Sequence, residues 1–149
     1  MALAPPVQDL LMEHYQHPRN FGTLDAPTHR VCCNNPLCGD RIELQLTLSA
    51  SNRIQAIRFY GRGCVISQAS ASMMTEAVQG KSLTQALALS ASFQNLFSSA
   101  AAERDSALGV LQVFEPIKES PSRLSCVFLA WQALALCLPV ENESDVHPS

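Results

Sequence analysis

The chain has 149 residues, 47% of them apolar and 15% charged, with ten Lys and Arg against thirteen Asp and Glu for a net charge of -3. That length and apolar content fit one domain with its own core, and the acidic balance, free of like-charge runs, excludes the basic stripe a nucleic-acid surface needs. The most apolar stretch, Val127 to Val140, is interrupted by Gln132 and Pro139 and falls short of the about 20 residues that span a bilayer, which excludes a membrane helix.

Val7, Leu10, Leu11, His14 and Tyr15 recur at helical spacing and predict an amphipathic helix stopped by Pro18, with Arg19 to Gly22 as a loop. A short strand is expected around Arg30 to Asn34. Ile42, Leu44, Leu46 and Leu48 alternate with Glu43, Gln45, Thr47 and Ser49, which predicts a strand with one wet face. Ser51-Asn52 turns it into a second strand, Ile54 to Tyr60, and Gly61-Arg62-Gly63 breaks that strand. A helix follows from Cys64, with Ile66, Ala69, Met73 and Ala77 as its buried stripe and Gly80 as its C′ residue. Ser82-Leu83-Thr84-Gln85 is a capping box that opens the next helix.

Ala86 to Phe114 reads as one or two short helices, and Glu115 to Pro121 as a loop with two prolines. A last helix, Ser122 to Leu138, is apolar nearly all round and belongs deep in the core. The expectation is a single α+β domain over residues 1–140, a small three-stranded antiparallel sheet packed against several helices. Residues 141–149 read as a polar, disordered tail.

Met1 to Leu11 has no positive n-region and no apolar h-region, so a cytoplasmic protein without a secretory signal is expected. There, six cysteines are expected as thiols or metal ligands rather than disulfides. Cys38, Cys64 and Cys126 fall at predicted element ends or in loops, and Asp40 stands two residues beyond Cys38. Three thiolates and one carboxylate complete a tetrahedral site of the soft kind that suits zinc or iron–sulfur chemistry. No CxxC pair is present, so spacing leaves a second reading open: small buried hydrophobes. A thiol in the first turn of a helix gains from its amides and dipole. That expectation applies to Cys64, and to Cys126 with Arg123 close by.

Asn35-Pro36-x-Cys38-Gly39-Asp40 and Gly61-x-Gly63-Cys64-x-Ile66-Ser67-x-Ala69-Ser70-Ala71-Ser72-Met73-Met74 resemble the IscU/NifU family of iron–sulfur cluster assembly proteins. The opening His14-Tyr15-x-x-Pro18-x-Asn20-x-Gly22 and the close Arg123-x-x-Cys126-x-x-x-Ala130-Trp131-x-Ala133-Leu134 resemble it too. The resemblance spans about residues 7–138. Ser125 stands where the IscU branch has a His, and Arg123 where it has a Lys, so the chain is closer to the SufU branch.

The resemblance implies Cys38, Asp40, Cys64 and Cys126 as zinc ligands. It implies Cys126 as acceptor of persulfide sulfur from a SufS-like cysteine desulfurase, and Arg123 as a thiolate or partner contact. A His of the desulfurase would replace Cys126 on the zinc (Zn2+). The implied role is a sulfurtransferase-like partner rather than a stand-alone enzyme, serving downstream cluster-assembly proteins. The alternative is a scaffold holding a transient [2Fe-2S] cluster on the same ligands. Cys32, Cys33 and Cys137 are expected to pack. So are Met73, Met74, Phe128 and Trp131. The four histidines have no ligand role in this reading.

Overall fold

The computed structural model describes residues 4–36, 39–98 and 106–138. Strands β1 (His29–Asn35), β2 (Asp40–Leu48) and β3 (Ile54–Arg62) form one antiparallel sheet in that order. Helices α1 (Pro5–Gln16), α2 (Val65–Val78), α3 (Leu83–Asn95) and α4 (Pro121–Cys137) accompany it, with a 3-10 segment at Ser106–Glu119. The α+β expectation holds.

Alternation builds the sheet's core face. Ile42, Leu44 and Leu46 of β2 are fully buried with Ile57 and Phe59 of β3, and Leu44 pairs with Phe59. Helices α2 and α4 pack against the sheet. At the hairpin tip Asn52 takes φ 63, the left-handed turn conformation that asparagine tolerates. The opposite face is drier than the alternation predicts. Gln45 and Glu43 are buried there, because the chain between α1 and β1 crosses them: Leu24 N–H donates to Gln45 Oε1 at 2.8 Å. Gln45 Nε2 and Tyr60 O–H then each donate to Glu43 at 2.9 Å.

Gly61 does not break β3. It pairs with Ile42 at φ 152, where a Cβ would overlap the Arg41 carbonyl. The strand runs on to Arg62 because glycine admits that approach.

Helix α2 is buried on more than its predicted stripe. Ile66, Ala69 and Met73 are buried, but so are Ser67, Ser70, Ser72, Met74 and Thr75. The hydroxyls tolerate burial because each finds a partner. Ser70 donates to the Val127 carbonyl of α4 at 2.7 Å. Ser72 accepts from Arg19 N–H at 2.9 Å and lies 2.7 Å from His14 Nδ1 of α1. Gly80, φ 87, closes the helix as predicted. In α1, Leu11 and His14 are buried while Tyr15 is exposed, so the predicted stripe is one residue too wide.

The capping box at Ser82 and Gln85 opens α3. The expected loop from Glu115 to Pro121 is instead 3-10 helix as far as Glu119, with Pro116 inside it. Buried Phe114 and Ile117 hold that segment on the core, and proline's fixed φ is compatible with a 3-10 turn. Pro121 then serves as the first helical residue of α4. Trp131, Ala130 and Leu134 are buried, yet Leu136 is 69% exposed, so α4 keeps one solvent stripe that its composition hides. The predicted tail, 141–149, lies outside the described residues.

Candidate metal centre

The end of the sheet brings the chemistry together. Asp40 opens β2 opposite Asn35, the last residue of β1. Strand β3 leaves the sheet through Gly63 and enters α2 at Cys64. Gly63 has no room for a side chain: a Cβ would meet Asp40 Oδ1 and Ser67 Oγ. Asp40 is thereby seated against the next backbone amide, and Cys64 N–H donates to Asp40 Oδ1 at 3.1 Å.

Cys64 is the N-cap of α2, as its position behind two glycines predicts. Its Sγ accepts from Ser67 N–H at 3.4 Å. A sulfur is thus fixed at the positive end of a 14-residue helix, a place suited to an anionic ligand.

Cys126 departs from its expected position. Helix α4 starts at Pro121, so Cys126 lies in the second turn, where the dipole's help has faded. It is 3% exposed. Asn35 reaches it from β1: Asn35 Nδ2 donates to Ser125 Oγ at 3.0 Å and lies 3.9 Å from Cys126 Sγ. Arg123 is exposed.

Ligand atoms of Asp40, Cys64 and Cys126 lie within 4.8 Å of one another. Tetrahedral zinc ligands at about 2.3 Å stand about 3.8 Å apart, so these three need only a short inward movement to share one ion. Two sulfurs and a carboxylate oxygen are a fitting donor set for zinc. Cys38, the fourth predicted ligand, lies outside the described residues.

The other cysteines stay apart from this cluster. Cys32 is exposed on β1 and Cys33 half-buried against the core. Burial raises the Cys33 thiol, with a smaller push from Cys32. Cys137 is buried, and burial together with Cys33 pushes its thiol up to about 11, which keeps it protonated and inert. Met73, Met74 and Trp131 are core residues, as expected, and Phe128 packs at the core's edge. His14 is a buried packing residue.

Two contributors to the site have no role in the sequence reading. Ser67 carries the amide that caps onto Cys64, and its signal is the Cys-x-x-Ser spacing of an N-cap and N3 pair. Asn35 aligns Ser125 and Cys126, and it stands at the head of the Asn35-to-Asp40 motif.

The end of a three-stranded sheet thus seats a carboxylate between cysteines brought by two helices. The chain matches the family model of the NifU-like N terminal domain over residues 7–138, and it belongs to that family. It is 38% identical over 127 residues to the zinc-dependent sulfurtransferase SufU of Bacillus subtilis (strain 168), covering 85% of both chains. It is 38% identical over 125 residues to the iron–sulfur cluster assembly scaffold protein IscU of Streptococcus pyogenes serotype M1, covering 84% of this chain and 77% of that one. Among solved structures it is similar to a putative iron–sulfur cluster assembly scaffold protein for the SUF system from Fervidobacterium islandicum AW-1. That match has a TM-score of 0.81 and 28% identity, and it covers 88% of this chain and 95% of the other. Among the described residues no helix is long and apolar enough to cross a membrane.

Proposed function

We propose that this protein accepts sulfur from a cysteine desulfurase on Cys126 and passes it into iron–sulfur cluster assembly, in the cytoplasm. The observation that carries this reading is the meeting of Asp40, Cys64 and Cys126 within 4.8 Å. Likeness to a zinc-dependent sulfurtransferase supports it. Asp40, Cys64 and Cys126 would hold zinc, with Cys38 as the fourth ligand by its place in the sequence. Zinc, when bound, supplies a Lewis acid that keeps its cysteine ligands deprotonated at neutral pH.

The chain's own residues divide the remaining work. The Cys126 thiolate attacks the terminal sulfur of the desulfurase's cysteine persulfide. A new S–S bond forms at Cys126, the old one breaks, and the desulfurase cysteine leaves as a thiolate. No net oxidation occurs and charge is conserved. Asn35 Nδ2 stands beside Cys126 Sγ as a donor that steadies the anion. The Cys64 amide fixes Asp40. Cys126 is buried, so docking must uncover it; exposed Arg123, one turn earlier on α4, is the proposed contact for the partner or the freed thiolate.

A second reading, a scaffold for a nascent [2Fe-2S] cluster on the same ligands, is favoured by the likeness to IscU. Native mass spectrometry of protein purified without oxygen separates the two. One zinc per chain, lost in Cys38→Ser, is expected for sulfur transfer. A persulfide should then form on Cys126 when desulfurase and cysteine are added. Two irons with two sulfides would favour the scaffold. Absence of bound metal, or a persulfide on another cysteine, would overturn the sulfur-transfer reading.

A further inference from the structure

The sheet face turned away from the helices carries a concentration of positive charge that the metal centre does not explain. Register places Arg30 opposite Gln45, Gln45 opposite Arg58, and Arg41 opposite Arg62, all on the face shared with Glu43 and Tyr60. The face therefore holds four of the chain's ten cationic side chains, while the whole chain has a net charge of -3. Glu43 is the one acid the three strands place there, and Tyr60 and Gln45 already donate to it.

Two of the four arginines are partly engaged. Arg58 Nη1 donates to Asn20 Oδ1 and the Ile57 carbonyl. Arg30 Nε lies 3.8 Å from Glu43 Oε2, but its side chain is 67% exposed. Arg41 and Arg62 are direct cross-strand partners, and neither forms an ion pair with a described residue, although the Arg41 charge acts on Glu43 from a longer distance. Like charges directly opposite on a sheet are destabilising. This pair also flanks the centre: Arg41 follows Asp40 and Arg62 precedes Gly63-Cys64.

We infer that this end of the outer sheet face docks an acidic protein surface beside the metal centre. Such a partner would offset the Arg41–Arg62 repulsion and be steered in by charge complementarity. A nucleic acid suits the face less well. A DNA-binding protein with strongly salt-dependent affinity makes about 6–10 phosphate contacts, whereas this face holds four arginines, and Arg30 and Arg41 already act on Glu43. The inference stands whether the centre takes zinc or a cluster.

The test is an NMR titration of the isotope-labelled full chain with poly-L-glutamate at low salt. Shifts are expected at the amides of Arg30, Cys32, Arg41, Tyr60 and Arg62, fading as salt rises. Arg41→Glu with Arg62→Glu should weaken binding about tenfold or more while zinc content stays unchanged, which separates failure of this face from failure of the centre. Arg41→Gln with Arg62→Gln serves if the reversal does not fold. Absence of binding, shifts confined to other surfaces, or equal affinity in the variant would overturn the inference. So would tighter binding of a poly-dT oligonucleotide than of poly-L-glutamate.

Discussion

Helices α2 and α4 each deliver one cysteine to the same centre, and they are built on different physics. Helix α2 is held by buried hydroxyls: Ser70 on the α4 backbone, Ser72 on His14 and the Arg19 amide, and Thr75 on Asn20. Helix α4 is held by aromatic packing, with the fully buried Trp131 stacked on Phe93 at 4.4 Å between ring centroids. Their thiols differ in the same sense. Cys64 is seated by a backbone amide at a helix cap. Cys126 has a side-chain amide beside it, one that also serves Ser125. A backbone donor is fixed by the helix, whereas a side-chain donor can swing. In the proposed function, that contrast would suit Cys64 to a lasting hold on the metal and Cys126 to exchange.

The largest break in that contrast comes from α4's apolar hold. Trp131→Ala should cost about 3–5 kcal/mol, as a large buried aromatic loses its contacts. Trp131 Nε1 finds no acceptor among the described residues, so Trp131→Phe should cost far less. Urea unfolding of both variants checks this. Equal losses would mean that the indole N–H has a partner in solution.

Next in size is Gly63→Ala. The new methyl group would meet Asp40 Oδ1 and Ser67 Oγ, on the α2 side of the centre. A cost of about 1–3 kcal/mol is expected from overpacking, together with a lower zinc content by elemental analysis. Full zinc retention would show that Asp40 can move aside without leaving the ion, and would weaken its place among the ligands.

How far these features can be read from sequence follows the same division. The hairpin, the Ser82 capping box and the Cys64 cap are legible because each rests on residues a few positions apart. The polar burial around α2 is not. A serine-rich face reads as wet until α1 and α4 supply partners 50 or more residues distant, as His14 does for Ser72 and Val127 for Ser70. The dry Glu43–Gln45 pair is hidden for the same reason, since the chain at Leu24 covers it. Pro116 misleads as a loop signal because buried Phe114 and Ile117 outweigh it. The motifs nominate the ligands, but Asn35's reach to α4 is a tertiary contact that motif spacing cannot contain.

A smaller effect separates cap from ligand at Cys64 itself. Cys64→Ala should lose about 1 kcal/mol, the usual cost of an N-cap acceptor. Cys64→Ser should keep that stability, because a hydroxyl oxygen accepts the Ser67 amide at least as well as sulfur. Metal binding should be lost in both variants. Thermal unfolding of the metal-free proteins reads the first effect, and zinc titration reads the second. If the serine variant is as unstable as the alanine variant, the Ser67 amide is not what fixes Cys64.

The smallest expected effect is a pH dependence confined to the polar hold on α2. Burial, with the Arg19 charge second, lowers the His14 pKa below 6.5; Glu76 and Glu13 oppose this and do not overcome it. The folded protein therefore keeps the imidazole neutral where the unfolded chain protonates it. The unfolded state binds more protons in that window, so stability must fall as pH drops below 6.5 and level off once the folded imidazole also takes its proton. Protonation would bring Glu76, 4.0 Å from Nε2, into an ion pair, which limits the loss. Urea midpoints on either side of pH 6.5 should differ in the parent chain and converge in His14→Gln. Trp131→Phe should retain the parent's slope, because the apolar hold on α4 contains no group that titrates there. An unchanged slope in His14→Gln would move the effect off the α1–α2 contact and remove the electrostatic half of the contrast between the two helices.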